Sequence, residues 1–583
     1  MPDIKKILNT VKYMTLRQWR YRVYYTVRNK LIKRKLNDFD IQEVRLLPLN
    51  YCNKVENFNT LNIADDILKN KFATVSQIKV EFKNHVEWDI PEEKYRLVCF
   101  KLNSFKWLLD LSDAFNATGN DQYIKKGFEL IDDWIINNSE RITGDKWNPY
   151  VIAERISNWI GFCSQYCAVL NLDVKSYADH ICGHAYELKK SFEFQLGANH
   201  LLSEAKALIF AGAFLKDDSL YNFGKKILKE EFKEQFLEDG AHYERSISYH
   251  VESLQQYFES TVVMNILGDD DVYHFVKILM KPYLFLNAMI SVNGEIPLFN
   301  DSALDYPFYD AADFLATSEG MFSSIAPNSR RGVYSKRWNT GISKKEKINW
   351  HTNGCFVNIG YIHYRFDVNS ENYSFFFDGA NCGPDYNLGH AHADALSILL
   401  SNSKKNIFVD TGVYTYKPGE ERNKCRSTKA HNTVEIDNSN SAEIWSAFRV
   451  AKRGHSVFEI KENEKNKLHI LGQHDGYEKC LKTNAMHTRE VIIENNEIII
   501  CDSITGQHDC VVRFHVGPEC NVCYINDKCC KVDDNIILES SVSLQIRDWE
   551  VSSMFGIKQS TKCIEIPFTT LDFNKVTTKI IIR

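Results

Sequence analysis

No uninterrupted apolar stretch in the 583-residue chain approaches the length of a membrane span. Neither sign of charge dominates. Asp and Glu number 76 against 71 Lys and Arg, a net charge of -5, which gives no reason to expect nucleic acid as a partner. The 16 cysteines lack the close, regular spacing of a small disulfide-framed domain. Cys163, Cys167 and Cys182 sit in apolar, helix-patterned surroundings, where a free thiol behaves as a small hydrophobe. Cys520 and Cys523, followed by the Cys529-Cys530 pair, read as buried thiols in strands rather than as a zinc cluster. Reduced cysteines and a cytoplasmic location are the expectation. Disorder is excluded by 44% hydrophobic and 25% charged residues, ordinary proportions for a folded chain. What is abundant is flat aromatic surface, with 28 Tyr and 10 Trp on which sugar rings can stack.

Residues 1–36 hold eleven Lys or Arg interleaved with Trp, Tyr, Val and Leu. They lack the apolar core and small-residue cleavage site of a secretory signal. Two readings stand: a helix packed on its own domain with Lys and Arg snorkelling, or a basic amphipathic helix making peripheral contact with an anionic membrane. After this lead-in (1–92), residues 93–323 place apolar residues at spacings of three and four in one segment after another, as in "YRLVCFKLNSFKWLLDLSDAF" and "VIAERISNWIGFCSQYCAVL". Eight or more helices in antiparallel pairs imply an open solenoid or a closed toroid. A polar, basic stretch at 324–350 reads as a linker. From 351 to 583 the period changes to two, in many short strands without intervening helices, the pattern of an antiparallel β-sandwich.

Chemistry concentrates in three places. "GHAHADALSILL" carries His390, His392 and Asp394 where a loop enters an apolar strand, followed by Asp410 in "NIFVDTG" and His431 in "KAHNTVEID". Two imidazoles and a carboxylate (His392, Asp410, His431) make a set suited to zinc. Spacings of 18 and 21 residues leave separate hydrogen-bonded histidines equally open. "GANHLLSEAKAL" has Asn199, His200 and Glu204 at a helix start, where Asn199 alone reads as the cap. "DGAHYERSISYHVESL" packs His242, Glu244, Tyr249 and His250 around a glycine-containing entry to another helix.

Five segments in this order, "NHLLSEAKALIFAGAFL", "DGAHYERSISYHVESL", "FNDSA", "GHAHADALSILL" and "STKAHNTVEID", resemble the signature segments of the heparinase II/III-like polysaccharide lyases. The resemblance covers about residues 145–440. The N-terminal segment resembles that of members found in bacterial surface-polysaccharide gene clusters, which lack an export signal. The implied fold is an incomplete (α/α) toroid followed by an antiparallel β-sandwich, in agreement with the periodicities. The implied substrate is an acidic, uronate-containing polysaccharide cleaved by β-elimination. Asn199 and His200 would then neutralise the uronate carboxylate. Tyr249 and His390 would transfer protons; a free tyrosine ionises near pH 10, so a base role requires support from its neighbours. His392, Asp410 and His431 would hold a structural zinc ion, with no organic cofactor.

Softer expectations remain. Arg155, with Trp147 and Trp159, is expected to line a sugar cleft or to belong to a buried aromatic face. Arg426 is expected to bind a carboxylate or sulfate, or to be an exposed strand-end arginine. Asn300 and Asp301 would organise the cleft or cap a helix. Glu244 would orient a neighbour, and His250 would support substrate binding. Two competing readings are a hydrolase using Glu204, Glu244 or Asp301 as its carboxylate pair, and a non-catalytic glycan-binding factor in surface-polysaccharide assembly. The oligomeric state is not legible.

Overall fold

The computed structural model describes the chain apart from residues 1–3, 32–33, 38, 50–57, 76–77, 91–95, 139–141, 305–353, 465 and 573. The linker expected at 324–350 and the end of the helical stretch at 305–323 therefore lie outside the described residues. Two helices, α1 (Ile4–Val11) and α2 (Leu16–Leu31), open the structure. An extended run follows and is tied to the helical body through Arg45 N–H to the Phe214 carbonyl at 2.7 Å and Ile41 N–H to Asp179 at 2.7 Å. Helix α3 (Phe58–Leu68) and the hairpin Lys71–Val75/Ile78–Glu81 come next.

The helical domain proper contains α4 (Arg96–Asn103), α5 (Leu108–Thr118), α6 (Gln122–Asn138), α7 (Pro149–Tyr166), α8 (Val174–Ser191), α9 (Ala198–Leu215), α10 (Asp218–Gln235), α11 (Ile247–Ile266) and α12 (Val272–Met289). Local chemistry sets several starts. Asn148 caps α7 ahead of Pro149, Asp217 accepts from Ser219 and Leu220 N–H to cap α10, and Ser246 caps α11. Helix α9 is the axis of the domain: it packs against α7, α8, α10 and α11, and every one of its residues except His200 is buried. The approach of α10 is close enough that a Cβ at Gly212 would stand 2.4 Å from Tyr221 N, and one at Gly224 2.5 Å from the Ala205 carbonyl. The residues of the lead-in share this core, through Leu47, Ala64, Ile67 and Phe72.

Among the described residues every pair of strands in the C-terminal half is antiparallel, and Gly412 and Ser552 form an isolated parallel bridge. Its first sheet has five strands in chain order, from Gly354–Phe356 to Asn406–Phe408. One face, with Tyr361, Phe376 and Leu399, joins the helical core; the other, with Tyr364, Phe375, Phe377 and Leu400, packs into the β domain. Alternation along a strand explains this double contact. An eight-stranded sheet, which includes His487–Glu494 and Glu497–Ile504, and a four-stranded sheet built on Asp509–His515 and Gln559–Thr569 close the second core. The strand Glu497–Ile504 alternates half-buried and buried residues over its whole length, the period-two signature of its sequence. The expected toroid-plus-sandwich architecture is thus the one observed. All fifteen described cysteines are free thiols, with Cys163, Cys167, Cys182, Cys529 and Cys530 buried as expected, but Cys520 only half-buried and Cys523 exposed.

One expectation fails here, and its alternative, a buried aromatic face, is the arrangement found. Arg155, Trp147 and Trp159 line no cleft: all three are buried. The Arg155 guanidinium lies 4.0 Å from the centre of the Trp134 ring and 5.2 Å from that of Trp147, and donates to the Asn103 and Lys146 carbonyls at 3.2 and 3.0 Å. Helical period put Arg155 and Trp159 on one face, and only packing showed that this face points inward. Arg155→Ala would remove both hydrogen bonds and leave a hollow among the tryptophans. It is expected to destabilise the protein by about 3 kcal/mol while leaving KM unchanged, as read by thermal melting and steady-state kinetics.

Candidate active site and metal centre

The loop at 300–303 is where the two domains meet. Asn300 adopts φ 55°, the left-handed conformation that asparagine tolerates. Its Nδ2 donates to the Tyr361 hydroxyl at 3.1 Å, and its Oδ1 accepts the His392 N–H at 2.8 Å. Ser302 Oγ accepts the Ile247 N–H at 3.0 Å, so this loop supplies a cap to α11 from outside the helix. Asp301, between them, is buried and receives four bonds. Arg422 on α13 (Glu420–Arg426) clamps both carboxylate oxygens, with Nη2 to Oδ2 at 2.6 Å. His392 Nε2 donates to Oδ1 at 2.8 Å and His390 Nδ1 to Oδ2 at 2.9 Å. Burial alone would raise the Asp301 carboxyl, but Arg422 and the two histidines hold it well below the usual carboxylate range.

This arrangement fixes the tautomer of His390. With Nδ1–H committed to Asp301, Nε2 of the neutral ring carries the lone pair. The ring stacks on Tyr249 with centroids 3.7 Å apart, and the Glu244 carboxylate lies 3.7 Å from Nε2. The Tyr249 hydroxyl meets that of Tyr416 at 3.1 Å, and the Arg422 guanidinium lies 4.9 Å from the Tyr416 ring centre. A tyrosine ring and a histidine ring are therefore packed face to face, one from each domain.

The second cluster sits at the start of α9 and along α11. Asn199 does not cap α9, since Gly197 occupies that position; its Nδ2 donates instead to Glu252 at 3.2 Å. Tyr150 bonds the other Glu252 oxygen at 3.2 Å and stacks on His200 at 4.7 Å. His200 Nδ1 donates to Glu193 at 2.6 Å and its side chain is 30% exposed. Burial lowers its pKa, but the Glu193 carboxylate, and then Glu252 and Glu244, outweigh this and raise it. Glu244 is itself pushed up, chiefly by burial, against the opposing pull of His390 and His200. It is the group that feels both clusters.

Below His390 lies a candidate metal centre. His392, Asp394 and His431 each present a ligand atom within 4.8 Å of the others. His392 Nδ1, Asp394 Oδ2 and His431 Nε2 are buried without a hydrogen-bond partner. Each imidazole spends its one N–H elsewhere, His392 on Asp301 and His431 on Asp410 at 2.7 Å. Three acceptor atoms thus converge with no donor among them. A divalent cation is the partner such a set lacks, and carboxylates behind the rings are the usual support of metal-binding histidines. The expected set, His392, Asp410 and His431, changes in one member: Asp394 faces the rings, and Asp410 stands behind His431 with its other oxygen on Gly412 N–H at 2.9 Å.

Two further expectations are corrected. His250 touches no cleft; it accepts the His242 N–H at 3.2 Å, meets the Pro282 carbonyl at 3.1 Å, and burial holds its pKa down to about 3. Arg426 is buried, not exposed. It donates to the Ala391 carbonyl at 2.9 Å and its own carbonyl accepts Ala393 N–H at 3.0 Å, so it straps the loop carrying His390 and His392. Sequence reasoning missed Arg422, Tyr416, Glu252 and Glu193. Signals existed for two: Arg422 precedes Arg426 by one helical turn, and Glu252 follows Tyr249 by three residues on α11.

The sequence matches the model of the Heparinase II/III N-terminus over residues 3–317 and that of Heparinase II/III-like, C-terminal, over 354–570. The chain belongs to the heparinase II/III-like family. Membership makes it a polysaccharide lyase. It is 22% identical to a heparin-sulfate lyase of Bacteroides thetaiotaomicron over 519 residues, which cover 82% of this chain and 68% of that protein. A heparin-sulfate lyase of Pedobacter heparinus is 23% identical over 390 residues, 62% of this chain and 55% of the relative. Among solved structures, heparinase III superposes with a TM-score of 0.74 at 18% identity, covering 99% of this chain and 93% of that one. A chondroitin AC lyase of Streptomyces coelicolor gives 0.54 at 8% identity, with coverage of 90% and 78%. The last two likenesses concern the fold.

The raised pKa of His200 has a testable sign. A cationic partner held by Glu193 stabilises the fold below the unfolded histidine value of about 6.5, and that contribution is lost as pH rises through the folded value. Glu193→Gln is expected to lower the melting temperature most near about pH 6, with the difference from wild type shrinking as pH rises. A pH series of melting curves checks this.

Proposed function

We propose that this heparinase II/III-like lyase cleaves a uronate-containing, glycosaminoglycan-like or bacterial acidic polysaccharide by β-elimination. The observation that carries the reading is the face-to-face packing of Tyr249 and His390, with the latter's Nδ1 held by Asp301. Asn199 and the half-exposed His200 bind the uronate carboxylate, which acidifies the C5 proton beside it by drawing off the developing negative charge. Tyr249 and His390 take that proton and supply one to the leaving glycosidic oxygen. The C4–O bond breaks as the C4–C5 double bond forms, so no water enters the products. Tyr416 supports the Tyr249 hydroxyl, and Glu244 keeps positive charge favoured between the two clusters.

Of the three carboxylates considered for a hydrolase, Asp301 is engaged by Arg422 and two histidines and Glu204 is buried in the helical core with Oε2 on the Glu193 N–H, which leaves Glu244 without a second carboxylate of the set. This supports elimination over hydrolysis. A zinc ion held by His392, Asp394 and His431 would supply a fixed positive charge that locks the loop presenting His390. Heparin-sulfate lyases among its relatives make heparan-type chains the first substrates to try.

Purified protein is expected to generate the ultraviolet absorbance of a conjugated uronyl product on at least one member of a panel of sulfated and unsulfated glycosaminoglycans, alginate and a capsular uronan. Tyr249→Phe is expected to lower kcat by about 1,000-fold while leaving glycan binding intact. New reducing ends without that absorbance would mean hydrolysis, and binding without turnover a glycan-binding role. For the metal, Asp394→Asn is expected to abolish bound zinc measured by elemental analysis, whereas Asp410→Asn weakens zinc affinity about 10–100-fold; the reverse order would restore Asp410 as the direct ligand.

A further inference from the structure

Helix α2 is amphipathic the wrong way round. The face turned to the protein is polar and aromatic. Gln18 donates to the Tyr386 carbonyl at 3.1 Å, Tyr25 bonds the Phe192 carbonyl, and Arg28 reaches the Lys190 carbonyl and Glu187, each at 2.9 Å. At about 100° per residue, these side chains fall on one side with Tyr21. The opposite side carries Leu16, Trp19, Val23, Val27 and Leu31, spaced by three and four. Those side chains are out in solvent: Leu16 is 88% exposed, Val23 59%, Val27 49% and Leu31 78%. Scattered exposed leucines need no explanation, but five exposed apolar side chains gathered on one side of a helix mark a contact surface. Ile4 and Leu8 of α1 add two more exposed apolar side chains.

The charge around the stripe names the occupant. Residues 1–36 carry eleven Lys or Arg and a single acidic residue, Asp3. Arg20 and Lys30 lie within the apolar face itself, and Arg22 borders it; all are exposed. The overall chain is net acidic at -5, so this cationic surface is local. Among the described residues no helix is long and apolar enough to cross a bilayer. We propose that α2 lies on an anionic membrane surface, its apolar stripe among the acyl chains and its Lys and Arg at the lipid headgroups. The helix is anchored to both halves of the protein, through Arg17–Glu231 at 2.7 Å in the helical domain and Gln18–Tyr386 in the other. Docking therefore orients the whole enzyme, not a loose tail.

The test is flotation of the full chain with vesicles of phosphatidylcholine alone and of phosphatidylcholine with phosphatidylserine. Wild type is expected to float with the anionic vesicles at least about tenfold better than with neutral ones, and less at high salt. Val23→Glu with Val27→Glu is expected to abolish flotation while leaving the melting curve and turnover of soluble polymer unchanged, because neither side chain enters the core. Arg20→Glu with Lys30→Glu, a surface pair, is expected to remove the preference for anionic lipid. Failure of wild type to float, equal flotation on neutral vesicles, or flotation of the Val23→Glu/Val27→Glu variant would each overturn the proposal. A dimer in sedimentation equilibrium that this variant dissolves, without vesicle binding by wild type, would assign the stripe to a second copy of the chain instead.

Discussion

The Asp301 carboxylate is the constraint on which the rest of the site depends. It is a buried anion, and burying one is costly unless every lone pair finds a donor. Here the donors are Arg422 from the β domain and two histidines from the loop that enters the first sheet. Satisfying this one charge therefore fixes three side chains at once. His390 is left with its ring face against Tyr249 and its Nε2 3.7 Å from Glu244, and His392 with its lone pair toward His431 and Asp394. The placement of His390 against Tyr249 and of His392 in the candidate metal centre both follow from the same carboxylate, which accepts through opposite oxygens.

That dependence explains why the domain interface, apolar where Phe376 and Leu399 meet the helical core, is polar around Asp301. Ser302 caps α11 from the Asp301 loop, Asn300 holds the His392 backbone, and Arg426 straps the residues between the two histidines. Each contact crosses between parts of the chain at least 35 residues apart. An equivalent network surrounds His431: Asn432 donates to the Ile398 and Val409 carbonyls at 2.8 and 2.9 Å, while Arg489 bonds the Leu396 and Asn432 carbonyls and pairs with Asp502. The loops that carry chemistry have little secondary structure of their own, so buried arginines and asparagines satisfy their backbone groups and replace the missing ladder. Rigidity at the site is a property of these bonds.

Much of the fold was legible because periodicity is local. The change from spacings of three and four to spacings of two near residue 351 placed the helical and β halves, and caps at Asn148, Asp217 and Ser246 are visible as residue types. Tyr249, His390, Asn199 and His200 came from the resemblance of short motifs, and the structure brings each into one of two adjacent clusters. The errors share a cause. Arg155, His250 and Arg426 are polar residues near the motifs, and polarity suggested exposure. Each is instead buried and bonds main-chain groups, Arg155 through Nη1 alone and with its guanidinium packed among tryptophan rings. Asp394 and Asp410 could not be ranked either, since both lie within reach of the histidines along the chain.

The sequence by itself determined the order of the domains, the class of each, and the identity of the family, because these rest on patterns repeated every two to seven residues and on motifs of a few adjacent residues. Tertiary packing was needed to show that Asp301 is the shared acceptor, that Asp394 faces the His392 and His431 rings, and that the apolar side of α2 faces outward. All three depend on which groups separated by tens to hundreds of residues meet, and on which side of an element the rest of the protein lies. A helix with one apolar face ordinarily buries that face. Here hydrogen bonds from Gln18, Tyr25 and Arg28 hold the polar face to the protein, and no pattern within the helix could have shown it.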